Sequence, residues 1–148
     1  MLDCPEIPRP EQPVTRLELA GMLLPLADPS LPLPALQDTA DTAARCAAAN
    51  SFFPLKDGCF APQRTVTRQE MATVAMQACG VNYRNASSTM PVCTDVEKVA
   101  NNYGTNVARA LYFGFMQLGP DGRFDPERLV SRAEAVEILN RVADFAGL

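Results

Sequence analysis

Three arginines stand in the same short phrase. Arg16, Arg68 and Arg132 occur in "VTRLE", "VTRQE" and "VSRAE", each between a hydroxyl residue and a glutamate. Thr15, Thr67 and Ser131 with Glu18, Glu70 and Glu134 three residues later have the pattern of a capping box. The hydroxyl takes an early helix N–H and the glutamate reaches back to the cap's own N–H. Val14, Val66 and Val130 precede the caps, where a staple residue packs toward Leu19, Met71 and Ala135. The box does not require the arginine. It occupies the first helical position, where the macrodipole disfavours a cation by about a few tenths of a kcal/mol, and where Asp, Glu or Pro is the more usual choice. A guanidinium beside free helix N–H groups makes a site for a carboxylate or phosphate, with bidentate geometry from the arginine. Two other readings stand beside that one. The arginine can form a salt bridge between repeats, to a carboxylate such as Asp38 or Asp95, or it can be inherited with the repeat and have no role.

Other chemistries find less support. The chain has no histidine and no tryptophan, which removes the commonest general base, the commonest metal ligand and every histidine-dependent triad. Asp121 with Asp125, and Glu134 with Glu137, read as solvated groups in a turn and on a helix face. "PDGRFDPE" (120–127) lacks the D-x-[DN]-x-[DN]-G ladder of a calcium loop, and phosphate-binding glycine motifs are absent. No catalytic residue, metal site or cofactor is expected, and an enzyme is not the expected reading. A net charge of −4 over 148 residues does not suit a nucleic-acid binder, which carries a basic face.

Five cysteines lack any C-x-x-C spacing. Two local disulfides, Cys46–Cys59 and Cys79–Cys93 with Cys4 left over, are the preferred arrangement and imply an oxidising compartment; free core cysteines are the alternative. Cys4 also suits the acylated cysteine of a lipoprotein, and "NAS" (85–87) matches a glycosylation sequon. "MLDCPEIPRP" has no charged start followed by an apolar run, so any leader is expected to have been removed. Prolines and Asp28 break "GMLLPLADPSLPLPAL" below the length of a membrane span.

The elements that position the arginines come from repetition. Shifted by 64 positions, residues 45–70 align without a gap on 109–134 with nine identities in 26 positions. A shift of 52 places 10–20 on 62–72. Each unit reads as helix, turn, helix. In the third, 106–116 is the first helix, "GPDGRF" the turn and 131–146 the second helix, with Ala135, Ile138, Leu139, Val142 and Phe145 on one face. In the second, 40–50 and 67–80 are the helices, with Met71, Val74, Ala75 and Ala78 inward and Gly80 as a stop. In the first, only the second helix is present, with Leu19, Met22, Leu23 and Leu26 inward. The expected architecture is all-α: three helix-turn-helix pseudo-repeats around a central bundle in one domain. Repeat 1 covers about 8–35 and is partial, repeat 2 about 36–80, and repeat 3 about 91–146.

"LKDGCFAPQRTVTRQEMATVAMQA" and "GPDGRFDPERLVSRAEAVEILNRV" resemble S-layer homology repeats, marked by G-x-F-x-P followed by (I/V)-T-R-x-E. The resemblance spans roughly residues 8 to 146. It implies a pseudo-threefold helical prism whose grooves between repeats bind secondary cell-wall polymers, often through a pyruvate ketal on a terminal sugar. On that resemblance the ligand-binding residues are Arg16, Arg68 and Arg132 with Thr15, Thr67 and Ser131 beside them. Asp38 and Asp95 are the F-x-D aspartates, and Gly58 and Gly122 the turn glycines. Leu36 and Cys93 fill the aromatic slot of F-x-D, leaving Tyr83, Tyr103 and Tyr112 as polar faces for a sugar. The implied function is a non-catalytic module, extracellular or in the cell envelope, anchoring a surface structure to an anionic cell-wall polysaccharide such as a pyruvylated one. The alternative is a structural subunit of an extracellular filament, appendage or particle, a homo-oligomer assembled through this fold. A third reading is an adaptor for a protein carboxylate.

Overall fold

A computed structural model describes residues 7–80, 90–91 and 93–147. Its α-helices are α1 (Arg16–Leu23), α2 (Thr42–Ala49), α3 (Arg68–Ala78), α4 (Gly104–Tyr112) and α5 (Arg132–Phe145), and the fold is all-α. Among the described residues, extended pairing is limited to four isolated antiparallel bridges.

The three motif helices start as their phrases require. Thr15 and Thr67 accept from Glu18 N–H and Glu70 N–H, and each glutamate returns to the cap, completing both boxes. Ser131 accepts from Glu134 N–H, but the Glu134 carboxylate is held by arginines instead. Val14, Val66 and Val130 are buried, as are Leu19, Met71 and Ala135. Gly80 has a φ of +62° just beyond α3, a left-handed conformation that glycine adopts without a Cβ clash.

Helix pairing crosses the repeat boundaries. α1 packs on α2, α3 on α4, and α5 touches both α1 and α3. Each motif helix thus takes the leading helix of the following repeat as its neighbour, and no described helix pairs with α5 in this way. α3 is the central element, with Met71, Ala72, Val74, Ala75, Met76 and Ala78 buried. The core continues through Phe60, Phe124, Phe115, Met116, Ile138 and Leu139.

Several expectations are corrected. The first helix of repeat 3 ends at Tyr112 rather than continuing to Met116. Gly114 turns the chain at a φ of +77°, and Phe115 and Met116 N–H both reach back to Ala110 C=O. Those two side chains thereby enter the core from a turn. Phe145 is 43% exposed, at the edge of an aromatic cluster with Phe113 and Phe115. The disulfides are also overturned, because Cys46, Cys59, Cys79 and Cys93 are all free thiols. Spacing along the chain did not bring them together. Cys46 lies on α2 near Asn50, Cys79 donates to Met76 C=O, and Cys93 donates to Asp95. The oxidising compartment inferred from the pairing loses that support. The expectations for Cys4, Tyr83 and the 85–87 sequon lie outside the described residues.

Candidate functional site

The first N–H groups of the motif helices are taken by backbone of another repeat. Arg16 and Leu17 N–H donate to Arg64 and Pro62 C=O; Arg68 and Gln69 donate to Arg128 and Pro126; Arg132 and Ala133 donate to Gln12 and Pro10, at 2.9–3.0 Å throughout. Residues 12, 64 and 128 are equivalent by the repeat, as are the three prolines. Repeat 1 therefore donates to 2, repeat 2 to 3, and repeat 3 to 1. The bridges Thr15–Thr65, Thr67–Leu129 and Pro13–Ser131 run in the same cyclic order.

The arginine side chains follow this ring unequally. Arg68, 6% exposed, donates to Phe124 C=O at 2.6 Å, to Gln117 C=O at 2.8 Å and to Glu134 Oε2 at 2.8 Å. Its guanidinium also lies 4.7 Å from the Phe124 ring centroid. Arg132 pairs with Glu18 and donates to Pro8 C=O. Both inter-repeat ion pairs therefore use the motif glutamates, rather than Asp95 or Asp38.

Arg16 breaks the pattern. Its equivalent partner is Glu70, but that carboxylate turns back to Thr67 N–H and Oγ1 and approaches Arg64 at 3.9 Å. Arg16 instead donates to Pro54 C=O at 2.8 Å and lies over Phe53 and Phe60. It is 5% exposed, its Nε has no hydrogen-bond partner, and no described carboxylate forms an ion pair with it. Burial pushes the Arg16 pKa below the usual arginine range and Arg64 adds to this, against the attraction of Glu70. Burial lowers Arg68 as well, but there Glu134 opposes it directly.

The two aspartates lock the turns that precede the motifs. Asp38 accepts from Phe60 and Ala61 N–H at 2.8 Å each, and Asp95 from Phe124 and Asp125 N–H at 2.9 Å each. Ala61 and Asp125 both have a φ of +56°, so the carboxylates fasten a backbone turn that L-residues rarely adopt. The Phe60 and Ala61 N–H groups hold Asp38 below the usual carboxylate range. For Asp95 burial pushes upward, yet the donors at Cys93, Phe124 and Asp125 outweigh it and the net shift is downward. Glu18 behaves likewise: burial raises it, but Thr15 and Arg132 bring it down. Cys93, in the slot of an aromatic residue, is a buried thiol bonded to Asp95 at 3.0 Å. Gly58 and Gly122 have φ near +75° and +78°, and a Cβ on either would meet Gln37 at 3.0 Å or Thr94 at 3.3 Å.

Arg16 lines one groove, and a second lies beside that one. One, of about 400 Å³, is lined by Arg16, Lys56 and Arg64 with Asp57, Cys59 and the 54–55 wall. The other, about 510 Å³, shares Pro54 and Leu55 with it and presents Tyr103, Asn102, Asn106, Gln77 and Thr73. The counterpart at Arg68 is smaller, about 240 Å³, and there Asp125, Glu134 and Glu137 stand against Arg68, Arg123, Arg128 and Arg141. Repetition located Arg16, whereas Lys56, Tyr103 and the amides lie outside the repeated phrase and were not singled out as a group.

The three motif helices close into a ring through their backbone, with charged grooves beside Arg16 and Arg68. The S-layer homology domain model matches residues 94–136, the body of the third repeat. That stretch is thus similar to the family that the repeats resemble. It is also similar to Cell surface glycoprotein 1 of Acetivibrio thermocellus, 26% identical over 153 residues. That alignment covers 92% of this chain but 7% of the relative, so the chain spans only a small part of the relative's length.

Proposed function

We propose that this chain is a non-catalytic cell-surface module that anchors a surface structure to an anionic cell-wall polysaccharide. The acid of the ligand enters at Arg16. Arg68 and Arg132 serve to close the ring. The observation that carries this reading is the inequality of the three arginines. Arg68 and Arg132 are neutralised by Glu134 and Glu18, whereas Arg16 forms no ion pair with a described carboxylate and lines a groove where Asp57 is the one acid beside Lys56 and Arg64. A carboxylate there gains charge-assisted hydrogen bonds without displacing a protein carboxylate. The adjoining groove supplies an aromatic face at Tyr103 and amides at Asn102, Asn106 and Gln77, a set suited to the faces and hydroxyls of sugar rings. Thr15, Thr67, Ser131, Asp38, Asp95, Gly58 and Gly122 shape the turns and helix starts around these grooves. The S-layer homology match and the surface-glycoprotein relative support placement at the cell envelope. Among the described residues, no helix is long and apolar enough to cross a membrane.

Co-sedimentation with purified cell-wall glycan, with and without pyruvyl groups, tests this. Lys56 and Arg64 are exposed, so Lys56→Ala and Arg64→Ala leave the fold intact and weaken binding about tenfold each, or about 1.4 kcal/mol. Removing pyruvyl groups has a similar effect. Unchanged sedimentation of the double variant would remove Arg16's groove from the reading. Loss of binding in Arg123→Ala, at the equivalent groove, would place the acid at Arg68 instead.

A further inference from the structure

We propose that Cys59 is a thiol–disulfide exchange site selective for anionic low-molecular-weight disulfides, whose carboxylates are held by the cationic groove at Arg16. Cys46, Cys79 and Cys93 are buried, while Cys59 is half-exposed, and access is the first requirement of a reactive thiol. Its Sγ has a long contact, 3.9 Å, to Asp57 C=O. The thiol shares its groove with Arg16, Lys56 and Arg64. Lys56 and Cys59 face each other across a tight turn, with Cys59 N–H donating to Lys56 C=O at 2.9 Å. The Arg16 guanidinium, buried and with no ion-pair partner among the described carboxylates, is an independent sign that the groove is short of an anion. At the equivalent positions of repeat 3 stand Arg123 and Pro120, so the groove at Arg68 has no such thiol.

The step balances without an added oxidant. The Cys59 thiolate attacks one sulfur of the disulfide, a bond forms between Cys59 Sγ and that sulfur, and the reagent's S–S bond breaks. The other half departs as a thiolate and takes up the proton that Cys59 released. The net charge of −4 would repel an anionic reagent from the chain as a whole. Preference for such a reagent therefore has to come from the local field of the groove, which steers charged partners over short range. The mixed disulfide leaves a carboxylate-bearing group beside Arg16. This inference stands on the thiol and the groove's charges, and does not depend on whether the groove takes a glycan.

The full chain is incubated with oxidised glutathione, which is net negative, or cystamine, which is net positive, and the Cys59 adduct is followed by peptide mass mapping. The rate ratio of the two reagents is compared between folded chain and chain unfolded in urea. The expected result is a ratio shifted about tenfold toward glutathione in the folded chain at low ionic strength, shrinking toward the unfolded value in about 0.5 M salt. Lys56→Glu with Arg64→Glu, both exposed, shifts the ratio toward cystamine. A folded ratio equal to the unfolded one, absence of a Cys59 adduct, or a ratio untouched by the charge reversal would each overturn the proposal.

Discussion

Asp38 and Asp95 do the same work under different solvation. Each holds two consecutive N–H groups of a left-handed turn, but Asp95 is buried while Asp38 is exposed. Removing a buried acceptor strands its donors, whereas water replaces an exposed one. Asp95→Ala is expected to lower unfolding free energy by about 3 kcal/mol, with Asp38→Ala giving a clearly smaller loss; urea titration of both variants measures the difference. Equal losses would mean that burial does not govern these locks. The same contrast separates the arginines. Arg68 and Arg16 are similarly buried, and what distinguishes them is where one neighbouring glutamate points.

At the scale of the helix, the capping boxes make a local and separable contribution. Thr67→Ala should cost about 1 kcal/mol, read as a shift in urea midpoint without a change in slope. Ser131→Ala should cost no more, because Glu134 is already bound to Arg68 and Arg128 and forms no reciprocal cap. A larger loss at Ser131 would contradict this account. These caps were legible in the sequence because their partners lie three residues apart. The motif helices and the Gly80 stop were legible for the same reason. The end of α4 was not: the apolar run continues through Phe115 and Met116, and nothing in its periodicity shows that a turn, rather than the helix, carries them inward. The ion pairs were foreseen in kind but with the wrong carboxylates, since Arg68 and Glu134 are 66 positions apart and only the ring brings them together. The cysteine spacing misled for the converse reason, because thirteen or fourteen residues of turn and helix separate thiols as readily as they join them. The difference at Arg16 depends on the second oxygen of Glu70 turning to Arg64, where that of Glu18 reaches Arg132, a choice that residue types do not reveal.

For the whole molecule, the carboxylates that hold the ring and its turns set the response to acid. Glu18, Asp38 and Asp95 all have pKa values below their ordinary ones. The unfolded chain therefore binds more protons than the folded one in the acid range. The stability these groups contribute is complete above about pH 4, the ordinary carboxylate value, and is lost as the pH falls through their lower folded values. Circular dichroism and tyrosine fluorescence should show little change from pH 7 to about 5, then one coincident loss of structure below about pH 4. Two separated transitions would show that the repeats unfold independently and would remove the single-domain reading.

The cyclic order of the backbone donors carries an arithmetic with it. Each repeat offers one pair of N–H groups forward and one pair of carbonyls backward, a head-to-tail relation that either closes or runs on without end. Here the third unit meets the first, and every described pair is spent. A fourth copy of the phrase in the same chain would find no open edge to join. Length in such a design grows by whole rings, not by single units.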